Sequence, residues 1–108
     1  GIGGKTAEFV ALRLQALARV HQVVCITHLP QIASFASHHY RIEKKVAGDR
    51  TFTTVRRLGF DERVEEIARL MAGSRLTDSS YASARDMLRH NLAGERARTS
   101  KTGKETPS

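Results

Sequence analysis

The sequence predicts an α/β fold, and three observations carry that prediction. Residues 5–20 place apolar side chains at helical steps. They run into residues 22–27, where Val23, Val24, Cys25 and Ile26 form an unbroken apolar run without the alternation of a half-exposed strand. That pattern predicts a strand covered on both faces, as in a parallel sheet, and a helix feeding such a strand is half of an α/β layer. Beyond it lie a β-hairpin pattern and two further amphipathic helices.

Taken in order, the first helix spans residues 5–20, with Ala7, Val10, Leu14 and Leu17 on one stripe and Arg13 and Arg19 off it. After the strand, Pro30 suits the first turn of a short helix, where its missing N–H costs nothing. That helix covers residues 31–36, with Ile32 and Phe35 inward. Residues 40–46 alternate, with Tyr40, Ile42 and Val46 on one face and Arg41, Glu43 and Lys45 on the other. Residues 51–58 are rich in Thr, Val and Phe, and Gly48-Asp49 between the two runs is a turn signal. Pairing about that turn sets Ile42 opposite Val55 and Arg41 opposite Arg56. Two like charges facing each other are unfavourable unless an anion or solvent screens them.

Asp61 is read as the cap of a helix whose stripe is Val64, Ile67, Ala68 and Met71. Glu62, Glu65 and Glu66 sit in its first turns, where the helix dipole favours carboxylates. Gly73 stops it. Thr77 or Asp78 caps the last helix, with Tyr81, Ala84, Leu88 and Leu92 inward and Gly94 as its stop. Residues 95–108 hold almost nothing apolar and read as a disordered basic tail, so the folded portion is assigned to residues 1–94.

At 108 residues, 40% hydrophobic and 27% charged, the chain is sized for one small globular domain. It contains no run of ~18 apolar residues of the kind a membrane-spanning helix needs. The N-terminus lacks a signal-peptide pattern, and no initiator Met is present, so the chain reads as a piece of a longer one. A single cysteine, Cys25, excludes an internal disulfide and a Cys-rich zinc site, and it points to a reducing, cytoplasmic setting. The formal charge is +7. The excess is concentrated in residues 41–57, where six basic side chains face only Glu43 and Asp49. A polyanion such as DNA is a natural partner for that surface, and an ordinary solvated hairpin is the alternative. Lys44, Lys45, Arg56 and Arg57 are the candidate DNA-facing residues.

Two motifs carry candidate chemistry. Gly4-Lys5-Thr6 has the form of the end of a phosphate-binding P-loop, in which Lys5 would touch phosphate and Thr6 Mg²⁺. Only half of that motif is present, and no strand precedes it. Thr27-His28 ends the apolar run, and ligands of open α/β sheets gather at the carboxyl ends of strands. His28 is therefore a candidate phosphate or water contact, donating through one ring nitrogen when neutral and two when protonated. His38-His39 has no carboxylate or thiol at ligand spacing and reads as a loop pair rather than a metal site. Cys25 reads as a small core residue. Asp61, Glu62, Glu65 and Glu66 read as a solvated helix start.

The run HQVVCITHLPQIASFASHHYRIEKK closely resembles the C-terminal head segment of the RecN family. These are bacterial DNA repair ATPases of the ABC type, related to structural-maintenance-of-chromosomes proteins. GIGGKTAEFV is similar to the end of the D-loop and the helix it leads into. RTFTTVRRL is similar to the second hairpin strand, and ERVEEIARLMAG with LTDSSYASARDML to the closing helices. The resemblance covers about residues 1–93, with ITHLPQIA its most specific part.

The resemblance implies the C-terminal part of an ABC-type P-loop ATPase head. Gly1, Ile2, Gly3 and Gly4 would be D-loop remnants, Gly3 and Gly4 lying near nucleotide, and His28 would be the switch histidine that contacts the γ-phosphate. ATP and Mg²⁺ would be held by the full-length protein. The implied partners are the rest of the same head, a second head in an ATP-dependent homodimer, and DNA, with no membrane. The implied role is double-strand-break repair by recombination, in the cytoplasm and on the nucleoid. A complete Walker A loop, a signature motif and a Walker B Asp-Glu pair are not in this sequence, and Asp61-Glu62 follows no apolar strand. The chain alone is thus expected to neither bind ATP tightly nor hydrolyse it, and to be partly ordered or aggregating in isolation. Two alternatives stay open. One is a different P-loop NTPase cut within Walker A, using Gly4, Lys5 and Thr6. The other is a non-enzymatic basic domain that binds nucleic acid through the hairpin.

Overall fold

The computed structural model describes residues 3–105. Helix α1 (Gly4–Leu17) and a single-turn helix α2 (Pro30–Ala33) precede a hairpin of β1 (Tyr40–Ala47) and β2 (Arg50–Arg57). Helices α3 (Phe60–Ala72) and α4 (Asp78–Glu105) follow. The chain is mixed helix and strand, an α/β fragment whose one sheet, among the described residues, is two-stranded and antiparallel.

The core is made where α3 meets α4. Val64, Ile67 and Ala68 of α3 lock against Ala84 and Leu88 of α4, and Leu76, Tyr81, Met87 and Leu92 pack around them. These are the stripes that the sequence periodicity marks, except that Met71 lies exposed at the stripe's end. Gly59, not Asp61, is the N-cap of α3. The Glu62 carboxylate reaches back to accept from the Gly59 N–H at 3.1 Å, and Asp61 sits inside the first turn. The Gly59–Glu62 bond is half of a capping box, since Gly59 has no side chain to return the bond, and it satisfies the N-cap donor. Gly73 ends α3 at φ +67°, a left-handed conformation that glycine adopts without Cβ strain. Thr77 is the residue that caps α4. Its Oγ1 accepts from the Ser80 N–H at 3.1 Å, while the Ser80 hydroxyl accepts from the Thr77 N–H at 3.3 Å. Gly94 does not stop α4, whose backbone continues helical to Glu105 where the sequence predicts a tail; residues 106–108 lie outside the described residues.

The hairpin register is the expected one, with Ile42 opposite Val55 and Arg41 opposite Arg56. The two-residue turn Gly48-Asp49 has φ +63° at Gly48 and no positive φ at Asp49, as a type II′ turn requires. The screening anions demanded by the Arg41–Arg56 pair come from the chain itself. Glu43 lies 3.2 Å and Glu66 3.8 Å from Arg41, and Glu62 pairs with Arg56. These contacts lay the charged face of the hairpin along α3.

The buried parallel strand is corrected. Residues 22–29 have no regular structure, and Val24 and Ile26 are 84% and 90% exposed. Cys25 is exposed as well, not a core residue. A strand needs a neighbour for its N–H and C=O groups, and β1 and β2 pair only with each other. Helix α1 is shorter than the pattern implies, and its buried side is carried by Ala7 and Ala11, with Val10 and Leu14 half-buried and Leu17 exposed. Small side chains there let α1 lie close against α2.

Truncation therefore acts very differently at two isoleucines. Ile67→Ala, at a fully buried core position, is expected to cost about 2–5 kcal/mol by urea unfolding. Ile26→Ala is expected to change stability by no more than about 0.5 kcal/mol, the usual range for an exposed site. Equal costs at the two positions would show residues 22–27 to be packed.

Candidate functional site

His28 stands at a corner that the local sequence builds. Thr27 Oγ1 accepts a hydrogen bond from the Leu29 N–H at 3.0 Å, folding the backbone around His28. Pro30 then fixes φ and opens α2 with no donor wasted. The imidazole at this corner is exposed.

Behind His28, the chain is held tightly. Ala33, Ser34 and Phe35 are buried, and side chains from three other helices converge on them. Gln15 of α1 donates to the Phe35 carbonyl at 3.3 Å. Arg63 of α3, itself buried, donates through one nitrogen to the carbonyls of Ala33 at 3.3 Å and Ala36 at 2.7 Å. Asn91 of α4 donates to Ser34 Oγ at 2.6 Å, and that hydroxyl donates onward to the Gln31 carbonyl at 3.2 Å. None of these four polar side chains stands out in the sequence. Faint signals exist: Arg63 lies one turn before Ile67 and Asn91 three residues after Leu88, both on the inward sides of their helices.

Gly3 is the N-cap of α1 and Gly4 its first residue. A Cβ built on either meets no atom within 4 Å, so nothing in this chain demands glycine there. Gly1 and Ile2 lie outside the described residues. Lys5 and Thr6 are exposed in the first turn of α1.

The four basic candidates do not form one patch. Cross-strand partners share a face and neighbours along a strand alternate. Lys45 and Arg56 thus belong to the face of Arg41, and Lys44 and Arg57 to the opposite face of Ile42 and Val55. Arg56 is paired with Glu62, and Arg57 donates to His38 Nδ1 at 2.8 Å. The Arg56 bond, with the Gly59 N–H second, holds the Glu62 carboxyl below its ordinary range. Among the described residues, no group of three or more His, Cys, Asp or Glu side chains is arranged to hold a metal ion. No helix there is long and apolar enough to cross a membrane.

Comparison with curated proteins decides the family. The chain is 44% identical over 103 residues to the DNA repair protein RecN of Treponema pallidum, covering 95% of this chain and 18% of that protein. It is 48% identical over 88 residues to RecN of Deinococcus radiodurans and 46% identical over 88 to RecN of Mycobacterium leprae, in each case 82% of this chain and 15% of the relative. The chain belongs to the RecN family. It corresponds to a C-terminal RecN fragment and spans 15–18% of the length of these relatives. No general protein-family model matches it. Membership in RecN removes the reading of the chain as a different P-loop NTPase cut within Walker A.

His39 gives the site a pH signature. Its ring is half-buried, its Nδ1 is enclosed without a partner, and its pKa is pushed below the ordinary value. Burial is the larger cause and the Arg63 charge the second, with Glu66 opposing them. A depressed histidine binds its proton more readily when unfolded, so its contribution is complete above about pH 6.5 and is lost as pH falls below that value. Thermal unfolding followed from pH 7.5 to 5 should therefore show a declining Tm, and His39→Gln should flatten the slope. An unchanged slope in the variant would assign the loss to other groups.

Proposed function

We propose that this chain is the C-terminal part of a RecN ATPase head, in which His28 senses the γ-phosphate of ATP during DNA double-strand-break repair. The observation that carries the reading is an exposed imidazole at a hydrogen-bonded corner in ITHLPQIA, within a chain 41–48% identical to curated RecN proteins. Residues 22–27, without regular structure here and with Val24 and Ile26 exposed, would supply a strand to the sheet of the remaining head, and His28 would then lie at that strand's carboxyl end.

Full-length RecN would take ATP with Mg²⁺, which supply the transferable phosphoryl group and neutralise its charge. The described residues offer an exposed hydrogen-bond donor suited to phosphate, His28, and the metal would be held by other parts of the head. Phosphoryl transfer depends on positioned donors more than on covalent chemistry by the protein. His28 would hold a ring N–H against a terminal phosphate oxygen, where negative charge spreads. Gly3 and Gly4, as the end of a D-loop, would lie across the interface between two heads and help to order the attacking water. ATP binding would clamp the heads into a homodimer, and hydrolysis would part them on DNA at the cytoplasmic nucleoid.

A purely DNA-binding role for the hairpin is less well supported, because its basic residues divide between two faces and two of them are engaged internally. In full-length RecN carrying this segment, His28→Ala should lower kcat for ATP hydrolysis by roughly 10²-fold, the usual scale for one transition-state donor. ATP affinity should change little. Wild-type turnover in that variant would refute the sensor assignment.

A further inference from the structure

We propose that Gln15, Ser34, Arg63 and Asn91 form a three-helix clamp that positions His28, and that they act on catalysis only through it. This rests on the reading of His28 as the γ-phosphate contact. The clamp itself comes from the arrangement around residues 33–36.

Helix α2 is four residues long, too short to be stable by itself. Along the backbone, its last carbonyls meet only the short turn that follows, Phe35 N–H at Ile32 and Ala36 N–H at Ala33. The Ala33 carbonyl and that of Ala36 accept from Arg63, and the Phe35 carbonyl accepts from Gln15, so two different helices hold the turn. Asn91, from a third, grips the Ser34 hydroxyl, whose own proton is committed to the Gln31 carbonyl. Ser34 is fully buried and both Arg63 and Asn91 nearly so, so these bonds are made where water competes little. Apolar packing would hold the turn down without fixing its direction. Directional bonds from three sides fix both.

The link from clamp to sensor is short and stiff. Gln31 is three residues from His28, and between them Pro30 has its φ locked. The Leu29 N–H is tied to Thr27. A displacement of the 33–36 turn therefore passes to His28 with little torsional slack to absorb it. Misplacing a catalytic donor by about 1 Å can cost on the order of 10²-fold in rate. The four side chains hold His28 from behind while its ring faces outward, so they are positioning residues rather than catalytic ones.

The test uses full-length RecN carrying this segment. Asn91→Ala and Gln15→Ala are each expected to lower kcat for ATP hydrolysis by on the order of 10-fold with KM for ATP nearly unchanged. Combined with His28→Ala, they should cause almost no further loss, because the group they position is already gone. Arg63→Ala removes a buried anchor and risks unfolding. Gln15→Ala, at a half-buried site, keeps the question answerable, and Arg63→Lys should recover part of the lost rate. Normal kcat in folded Asn91→Ala and Gln15→Ala, or losses that multiply with that of His28→Ala, would overturn the clamp and leave the sensor standing. Normal kcat in His28→Ala alone would overturn both.

Discussion

A buried guanidinium helps to join the two halves of this chain. Arg63 projects from α3, whose other inward residues make the apolar core with α4, and it ends on the carbonyls that follow α2. A buried charge is expensive unless its donors are satisfied. One guanidinium nitrogen meets the carbonyls of Ala33 and Ala36, which offsets part of that cost on both sides. Burial disfavours a charge on the neighbouring His39, the Arg63 guanidinium adds to that effect, and Glu66 only opposes it. One side chain thereby contributes both to the position of a turn and to the lowered proton affinity of a ring.

Much of the local structure was legible in the sequence, and the reasons are local. The Val64, Ile67, Ala68 stripe repeats at helical steps, and Gly73 sits where a left-handed residue must end the helix. The hairpin register followed from a two-residue turn, because the turn length fixes every pair beyond it. The failures share the opposite cause. Whether residues 22–27 are buried depends on what lies beside them, and an apolar run states only that burial is needed. Gly94 lowers helix propensity without forbidding a helix, and α4 continues through it. Arg63 looks like one more solvated charge among Glu62, Glu65 and Glu66 until the 33–36 turn is placed against it.

The site divides the same way. His28 became a candidate because a histidine just after an apolar run has a positional meaning in α/β sheets, reinforced by ITHLPQIA. The basic quartet does not share one face, as period-two geometry implies: Lys44 and Lys45 are adjacent on one strand, Arg56 and Arg57 on the other, and adjacent strand residues point to opposite faces. The facing arginines Arg41 and Arg56 did signal an anion. That anion proved to be carboxylates of the hairpin and α3, so the charge concentrated in residues 41–57 is partly spent on intramolecular contacts before any outside partner is met.

The chain thus treats its two exposed features differently. Residues 22–27 are apolar and unpaired, and nothing within the described residues fixes their conformation. His28 follows immediately, yet the backbone on its far side is pinned by the Thr27–Leu29 bond, by Pro30 and by three helices. A residue between a free segment and a fixed one has its position set by the fixed side, and docking of the free side can only confirm or oppose it. If the strand pairs with the rest of a RecN head, the entropy of ordering the chain at His28 has already been met on one flank. The corner would then meet whatever arrives in front of it with little freedom left to yield.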